Sequence, residues 1–197
     1  MPLLEGRGLC VDYGRVRALA GVDVEIDEGQ VIGLLGPNGS GKTTLLNVLG
    51  GLLRPTAGVV RFDGGLVTGK PPWALGRLGI GRTFQIPRPF AGMTALDSVL
   101  VGVTFSTRRK WFRAADRRRE SERLLATVGL ADRAGARSSE LSLGQMKRLE
   151  LAVALSARPR LLLLDELASG LSPQGRAEVL RFYARLRDRK ASCRERV

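Results

Sequence analysis

Residues 36–43 have the types and the spacing that bind a triphosphate. They read Gly-Pro-Asn-Gly-Ser-Gly-Lys-Thr and fit the phosphate-loop pattern G-x-x-x-x-G-K-[ST] at every fixed position. Glycines let successive backbone N–H groups turn inward around phosphate oxygens. Lys42 can reach the β- and γ-phosphates, and the Thr43 hydroxyl can hold Mg²⁺. The nucleotide-binding residues predicted here are Gly36, Pro37, Asn38, Gly39, Ser40, Gly41, Lys42, Thr43 and Thr44.

The segments on either side of this loop support the prediction. Residues 30–35 are mostly apolar and predict a buried strand, and residues 44–49 predict the start of a helix. A strand, a glycine loop and a helix N-terminus form the geometry that binds phosphate.

A second candidate site follows the apolar run Leu161–Leu164, which is typical of a central parallel strand. Asp165 and Glu166 come directly after it. In open α/β sheets, ligands bind at this end of the strands. One carboxylate can bind Mg²⁺ through water, and the next can orient or deprotonate an attacking water.

Composition narrows the class of protein. A chain of 197 residues predicts one domain, without an apolar run of the roughly 18 residues that a membrane span needs. There are two cysteines and no histidine, so a zinc site or a disulfide framework is not expected. The start of the chain lacks a signal-peptide pattern, which predicts a cytoplasmic location.

The formal net charge of +13 is the other strong compositional feature. The densest basic stretches are residues 108–113 and 117–119, and the sequence then continues as an amphipathic helix. Two interpretations stay open: a solvated helix face near lipid headgroups, which we favour, and nucleic-acid binding. We expect no specific nucleic-acid partner.

Periodicity places the remaining elements. Strands are predicted at residues 9–12, 22–26, 59–62 and 80–84. Residues from about 96 to 130 are expected to be mostly helical, as are 142–156 and 178–186.

A third motif identifies a family. Leu141-Ser142-Leu143-Gly144-Gln145 resembles the signature motif LSGGQ of ATP-binding-cassette (ABC) ATPases, with Leu143 in place of the first glycine. The order of the phosphate loop, Gln85, this motif and then Asp165-Glu166 is also the order in that family. The resemblance covers about residues 3–186. It implies an α/β fold with a P-loop NTPase (ABC ATPase) core, an N-terminal antiparallel β subdomain, and a helical subdomain at about 90–150.

The resemblance also implies roles for single residues. Tyr13 would stack on the adenine of ATP, and Gln85 would contact Mg²⁺ and the attacking water. Glu166 would be the catalytic carboxylate, with Lys42 and Gln85 as the other catalytic residues. The implied Mg²⁺ ligands are Thr43, Gln85 and Asp165. The signature residues, namely Ser142, Leu143, Gly144 and Gln145, would meet the ATP held by a second subunit.

Further segments are similar to the ATPases of branched-chain amino-acid importers. They are residues 83–90, 93–99, 141–150 and 168–173. The implied function is hydrolysis of ATP that drives import of branched-chain or other hydrophobic amino acids. The implied partners are a second ABC ATPase subunit, identical or different, membrane permease subunits and, indirectly, a periplasmic substrate-binding protein. The implied location is peripheral, on the cytoplasmic face of the cell (inner) membrane.

The C-terminal residues depart from the family pattern. The family has a switch histidine after one more strand beyond Asp165-Glu166, whereas this chain contains no histidine. We therefore predict an ABC ATPase domain at 1–189, incomplete at its C-terminus, and a non-family tail at 190–197. Two alternatives to the importer stay open: a lipopolysaccharide-export type ABC ATPase, and an ATP-binding fragment with little hydrolysis. A soluble ABC protein acting on DNA or ribosomes would usually have two cassettes or a long coiled-coil insertion, and neither is seen.

Overall fold

Four antiparallel strands open the fold. The computed structural model describes residues 1–83, 90, 92–105 and 113–165. Strand β1 (Leu4–Tyr13) pairs with β2 (Val16–Ile26) on one side and with β3 (Ala57–Phe62) on the other, and β4 (Gly65–Leu66) extends the sheet beyond β3. The register places Leu4 opposite both Ile26 and Phe62. The predicted strands at 9–12, 22–26 and 59–62 are confirmed.

The chain forms two compact units, Met1–Ile80 and Gly81–Val197. In the first unit, alternate residues of the sheet are buried, as in Leu4, Leu9, Val11 and Val60. Helix α1 (Lys42–Leu49) buries Leu45, Leu46, Val48 and Leu49, and α2 (Pro72–Leu78) buries Leu75. Helix α2 ends at Gly79, whose φ of 106° is a left-handed conformation that favours glycine.

The predicted buried strand at residues 30–35 is wrong. None of these residues forms a strand, and all of them are exposed, with Val31 at 74% and Leu35 at 96%. An apolar run becomes a strand only where a neighbouring strand supplies N–H and C=O partners. Among the described residues of the first unit, no strand pairs with this segment. The strand–loop–helix context therefore holds only for the loop and the helix.

Three helices that pack on one another build the second unit. They are α3 (Ala95–Phe105), α4 (Ala114–Thr127) and α5 (Leu143–Ser156), and short 3-10 turns at Ala131–Arg133 and Ser138–Glu140 connect the last two. Their apolar faces form one core, which includes Val99, Val103, Leu125, Leu149 and Leu151. Over the described residues, the helices predicted at about 96–130 and 142–156 are confirmed.

A short sheet carries the second unit's acidic site. Strand β5 (Ile80–Arg82) lies beside β6 (Leu161–Leu163), and the Thr83 backbone N–H donates to the Leu163 carbonyl at 3.0 Å. The strands predicted at 80–84 and 161–164 are therefore found over three residues each. Across the described ranges, no helix is both long and apolar enough to cross a membrane.

Some predictions fall outside the described residues. They are the roles of Gln85 and Glu166, the helix at 178–186 and the tail at 190–197.

Candidate nucleotide-binding site

Lys42 lies inside the curve of the phosphate loop. Its ammonium donates to the carbonyl oxygens of Gly36 at 2.8 Å and Pro37 at 2.7 Å, and to the Ser40 hydroxyl at 3.3 Å. A lysine ammonium has three donors and no acceptor, so the loop itself fixes the direction of this cation. The Lys42 ammonium thus lies among oxygen atoms of residues 36–40.

Glycine is required at two positions of the loop for different reasons. A Cβ on Gly41 would lie 2.6 Å from the Ala18 carbonyl oxygen of β2, and its φ of 87° is left-handed. Gly39 has a similar φ of 81°, yet a Cβ there would meet nothing within 4 Å. Gly41 therefore fixes the loop against the antiparallel sheet, whereas Gly39 only supplies a turn.

The loop ends on a helix that carries no side-chain cap. Gly41 is the N-cap residue of α1, and among the described residues no side chain caps this end. No acidic residue lies in the first turn. The N-terminal backbone N–H groups of a helix carry a partial positive charge, and no acidic side chain of the first turn of α1 offsets that charge.

Tyr13, the predicted adenine contact, lies at the end of β1 and is 51% exposed. A tyrosine that served only the core would be buried. Its ring is therefore accessible to a ligand, as the stacking role requires.

The signature residues form the N-terminus of α5, as predicted. Ser142 is the N-cap, and its hydroxyl accepts a hydrogen bond from the Gln145 backbone N–H at 3.3 Å. The Gln145 side chain accepts in turn from the Ser142 backbone N–H at 2.9 Å, which completes a capping box. Leu143 opens the helix and is 41% exposed. The structure therefore brings Ser142, Leu143, Gly144 and Gln145 together in one helix turn.

Asp165 is buried beside an arginine. An Oδ2 atom of Asp165 lies 3.6 Å from a terminal nitrogen of Arg82, and the two side chains are only 5% and 9% exposed. Burial lowers the pKa of Arg82 below its ordinary value, because it removes water from the guanidinium, and the Asp165 carboxylate opposes this shift. The predicted Mg²⁺ ligand is thus held in an ion pair.

Two features of these sites were not predicted from the sequence, although each had a signal in it. Arg82 is a charged residue within a predicted strand, and such a charge is a signal that a partner is needed. Ser142 and Gln145 have the S-x-x-Q spacing of a capping box, which was also readable.

The chain resembles known proteins along most of its length. Residues 19–169 match the family described as "ABC transporter". The high-affinity branched-chain amino acid transport ATP-binding protein BraF of Pseudomonas aeruginosa is 38% identical to this chain. The alignment is 197 residues long and covers 94% of this chain and 77% of that protein. The corresponding protein LivG of Escherichia coli is 34% identical, over 95% of this chain and 78% of its own length.

Solved structures agree with these relatives. The ATP-binding cassette MJ1267 superposes with a TM-score of 0.84 at 31% identity, covering 96% of this chain and 78% of that one. A dimeric post-hydrolysis state of the cassette MJ0796, bound to ADP and Pi, gives a TM-score of 0.83 at 27% identity, over 95% of this chain and 84% of that one. With its phosphate loop and signature helix, the chain belongs to the ABC transporter family and is one of its ATP-binding, ATP-hydrolysing subunits.

Proposed function

We propose that this chain binds and hydrolyses ATP to drive import of branched-chain or other hydrophobic amino acids. The observation that carries the proposal is the phosphate loop, in which the Lys42 ammonium is directed by the loop's own oxygens. The substrate class rests on relatives that are named as branched-chain amino acid transport ATP-binding proteins. We propose residues 1–189 as the cassette, with a helical subdomain at about 90–150.

The proposed nucleotide contacts divide between the described segments. Backbone N–H groups of residues 36–44 and the Lys42 ammonium bind the phosphates, and the exposed ring of Tyr13 stacks on adenine. Lys42 binds phosphate by exchanging at least one of its three loop contacts for a phosphate oxygen, and its charge then offsets the charge that develops on the phosphate.

The donor chemistry of the chain fits a magnesium ion. Mg²⁺ prefers oxygen ligands and keeps several waters, so a hydroxyl, one carboxylate and the nucleotide phosphates suffice. Thr43 provides a hydroxyl in the first turn of α1, and Asp165 provides a carboxylate after β6. We propose Thr43, Asp165 and Gln85 as its ligands, with Asp165 acting through water. When bound, Mg²⁺ supplies positive charge to the phosphates.

The remaining roles concern water and assembly. Glu166 orients or deprotonates the attacking water, and Gln85 contacts it. Ser142 and Gly144 of a second ABC ATPase subunit meet the γ-phosphate, so two subunits hold two ATP molecules. We propose that this dimer docks on membrane permease subunits at the cytoplasmic face of the cell membrane. A periplasmic substrate-binding protein acts indirectly through those permeases.

The test is binding and turnover of ATP by the wild-type chain and by Glu166→Gln. We expect both proteins to bind a fluorescent ATP analogue equally, and only the wild type to release phosphate with Mg²⁺. Turnover by the variant at the wild-type rate would show that Glu166 is not the catalytic carboxylate. Binding by both proteins without turnover by either would favour the ATP-binding fragment over the ATPase.

A second experiment tests the transported class. The chain is reconstituted with the permease subunits that co-purify with it, and ATP hydrolysis is followed while candidate substrates and a substrate-binding protein are added. We expect stimulation by leucine, isoleucine or valine. Stimulation by a lipid-linked saccharide alone would instead indicate an exporter.

A further inference from the structure

Arg82 has no role in the function proposed above, yet its contact reaches one of the proposed metal ligands. Arg82 is the last residue of β5. Asp165 lies two residues after Leu163, which is the last residue of β6. A hydrogen bond of 3.0 Å from the Thr83 backbone N–H to the Leu163 carbonyl sets the register of these segments. The two charged side chains consequently leave the sheet at the same end.

Glycine permits this close approach. A Cβ on Gly81 would lie 3.0 Å from Cβ of Pro159 and 3.2 Å from Cδ1 of Leu162. Those separations are tighter than ordinary van der Waals contact, so a larger residue at position 81 would require Pro159 or Leu162 to move by a few tenths of an ångström. Gly81 therefore allows β5 to pack closely on the segment that carries Asp165.

Both side chains of this ion pair are buried. Asp165 and Arg82 are 5% and 9% exposed, so little water is present to stabilise either charge. The orientation of a buried carboxylate depends on the groups that contact it, because little water is present to hold it. The guanidinium has a planar set of donors in a fixed arrangement, and it therefore holds the carboxylate in one place.

We propose that Arg82 is a positioning residue that holds the Asp165 carboxylate ready for Mg²⁺. Groups that contact a metal-ligating carboxylate typically change metal affinity by about 10- to 100-fold when they are removed. Loss of Arg82 therefore raises the Mg²⁺ concentration needed for Mg²⁺-dependent nucleotide binding. Binding of the nucleotide without Mg²⁺ does not depend on Arg82, because the phosphate loop does not include it. This inference rests on the proposed role of Asp165.

The experiment titrates Mg²⁺ against binding of a fluorescent ATP analogue by the full chain, with a parallel titration in EDTA. Arg82→Gln removes the charge and keeps hydrogen-bonding capacity, and Arg82→Lys keeps the charge but loses the planar fork. Arg118→Met is the matched control, since Arg118 forms an exposed pair with Glu122 at 3.0 Å in the same unit.

The expected order of half-saturating Mg²⁺ is wild type, then Arg82→Lys, then Arg82→Gln, with the last about 10- to 100-fold above the first. Binding in EDTA and the control should match the wild type. Arg82→Lys with the wild-type Mg²⁺ requirement or a lower one would overturn the inference, even where Arg82→Gln fails to fold. Equal weakening of binding with and without Mg²⁺ would also overturn it, by showing a merely structural role.

The Mg²⁺ titration distinguishes failure of the proposed role of Asp165 from failure of the proposed role of Arg82. If the wild type itself binds the analogue no better with Mg²⁺ than in EDTA, the proposed role of Asp165 is wrong. If the wild type responds to Mg²⁺ and both Arg82 variants respond identically, only the inference about Arg82 is wrong.

Discussion

The two helix N-termini proposed to meet phosphate are built differently. Helix α1 starts at Gly41, in a left-handed conformation and without a side-chain cap, whereas α5 starts at Ser142 with a complete capping box. The first leaves its terminal N–H groups to water or to a bound anion, whereas the second satisfies part of its N–H groups with its own side chain. The start of α1 is thus open to an anion, as the proposed ATP site requires, while α5 is capped independently of the proposed contact between Ser142 and a second nucleotide.

The largest expected effect comes from the cation of the α1 site. Lys42→Ala removes the ammonium that contacts Gly36, Pro37 and Ser40, and it should lower affinity for a fluorescent ATP analogue at least about 100-fold, since it deletes a charge-assisted contact with phosphate. Lys70→Ala is the control, because Lys70 is an exposed lysine in the same unit. Unchanged binding by Lys42→Ala would refute the phosphate-loop assignment.

The backbone of the same site gives the next effect. Gly41→Ala places a Cβ 2.6 Å from the Ala18 carbonyl oxygen, so it should cost more than the roughly 1–2 kcal/mol of a left-handed alanine and weaken ATP binding about 10-fold or more. Gly39→Ala has the same strain with open space around it, and should cost only that strain. Chemical denaturation and analogue binding measure the two effects. Equal losses in both variants would mean that contact with β2 does not position the loop.

Two substitutions of Ser142 at the start of α5 separate its role as a helix cap from its proposed contact with phosphate. Ser142→Ala should lower the free energy of unfolding by about 1 kcal/mol, the usual cost of losing an N-cap. Ser142→Asp retains an oxygen that caps the helix, but its charge repels a γ-phosphate. We expect Ser142→Asp to keep stability and monomer ATP binding and to lose ATP-dependent dimerisation, followed by light scattering. A dimer that forms normally with aspartate would remove Ser142 from the proposed contact with the second nucleotide.

The smallest predicted effect concerns the other end of α5. Just beyond that helix, Arg158 contacts Glu120 of α4 at 2.8 Å, and Arg123 contacts it at 2.9 Å. Hydrogen bonding from Arg123, with further help from Arg158, lowers the pKa of Glu120 to about 2 although burial acts in the opposite direction.

The sign of the pH dependence follows from that shift. A carboxyl whose pKa is lowered on folding stabilises the fold above its unfolded pKa of 4.5, and the contribution is lost as pH falls towards about 2. Because both partner arginines are partly exposed and water screens the contacts, Glu120→Gln should cost no more than about 1 kcal/mol at pH 7 and progressively less below pH 4.5, as measured by urea denaturation.

The control for that series is Glu122→Gln, because its pair with Arg118 is exposed and should contribute only about 0.3–0.5 kcal/mol. A cost at pH 7 that persists unchanged at pH 3 would contradict the ion-pair explanation for Glu120.

Local patterns in the sequence determined much of this protein. The phosphate loop, the signature motif before α5, the amphipathic helices and the alternating strands β1 to β3 depend on residues close together in the chain, so spacing alone predicts them. The resemblance to ABC ATPases rested on such motifs, and the match to that family confirms it.

Tertiary structure decided what depends on distant partners. Residues 30–35 are apolar enough for a buried strand, but pairing with other strands decides whether one forms, and here they are exposed. The same holds for Arg82, whose contact with Asp165 joins residues that are far apart in the chain. Only the folded chain shows that Gly41 fits beneath β2. Local patterns report the preference of a segment, whereas pairing, close approach and burial of charge are set by the rest of the fold.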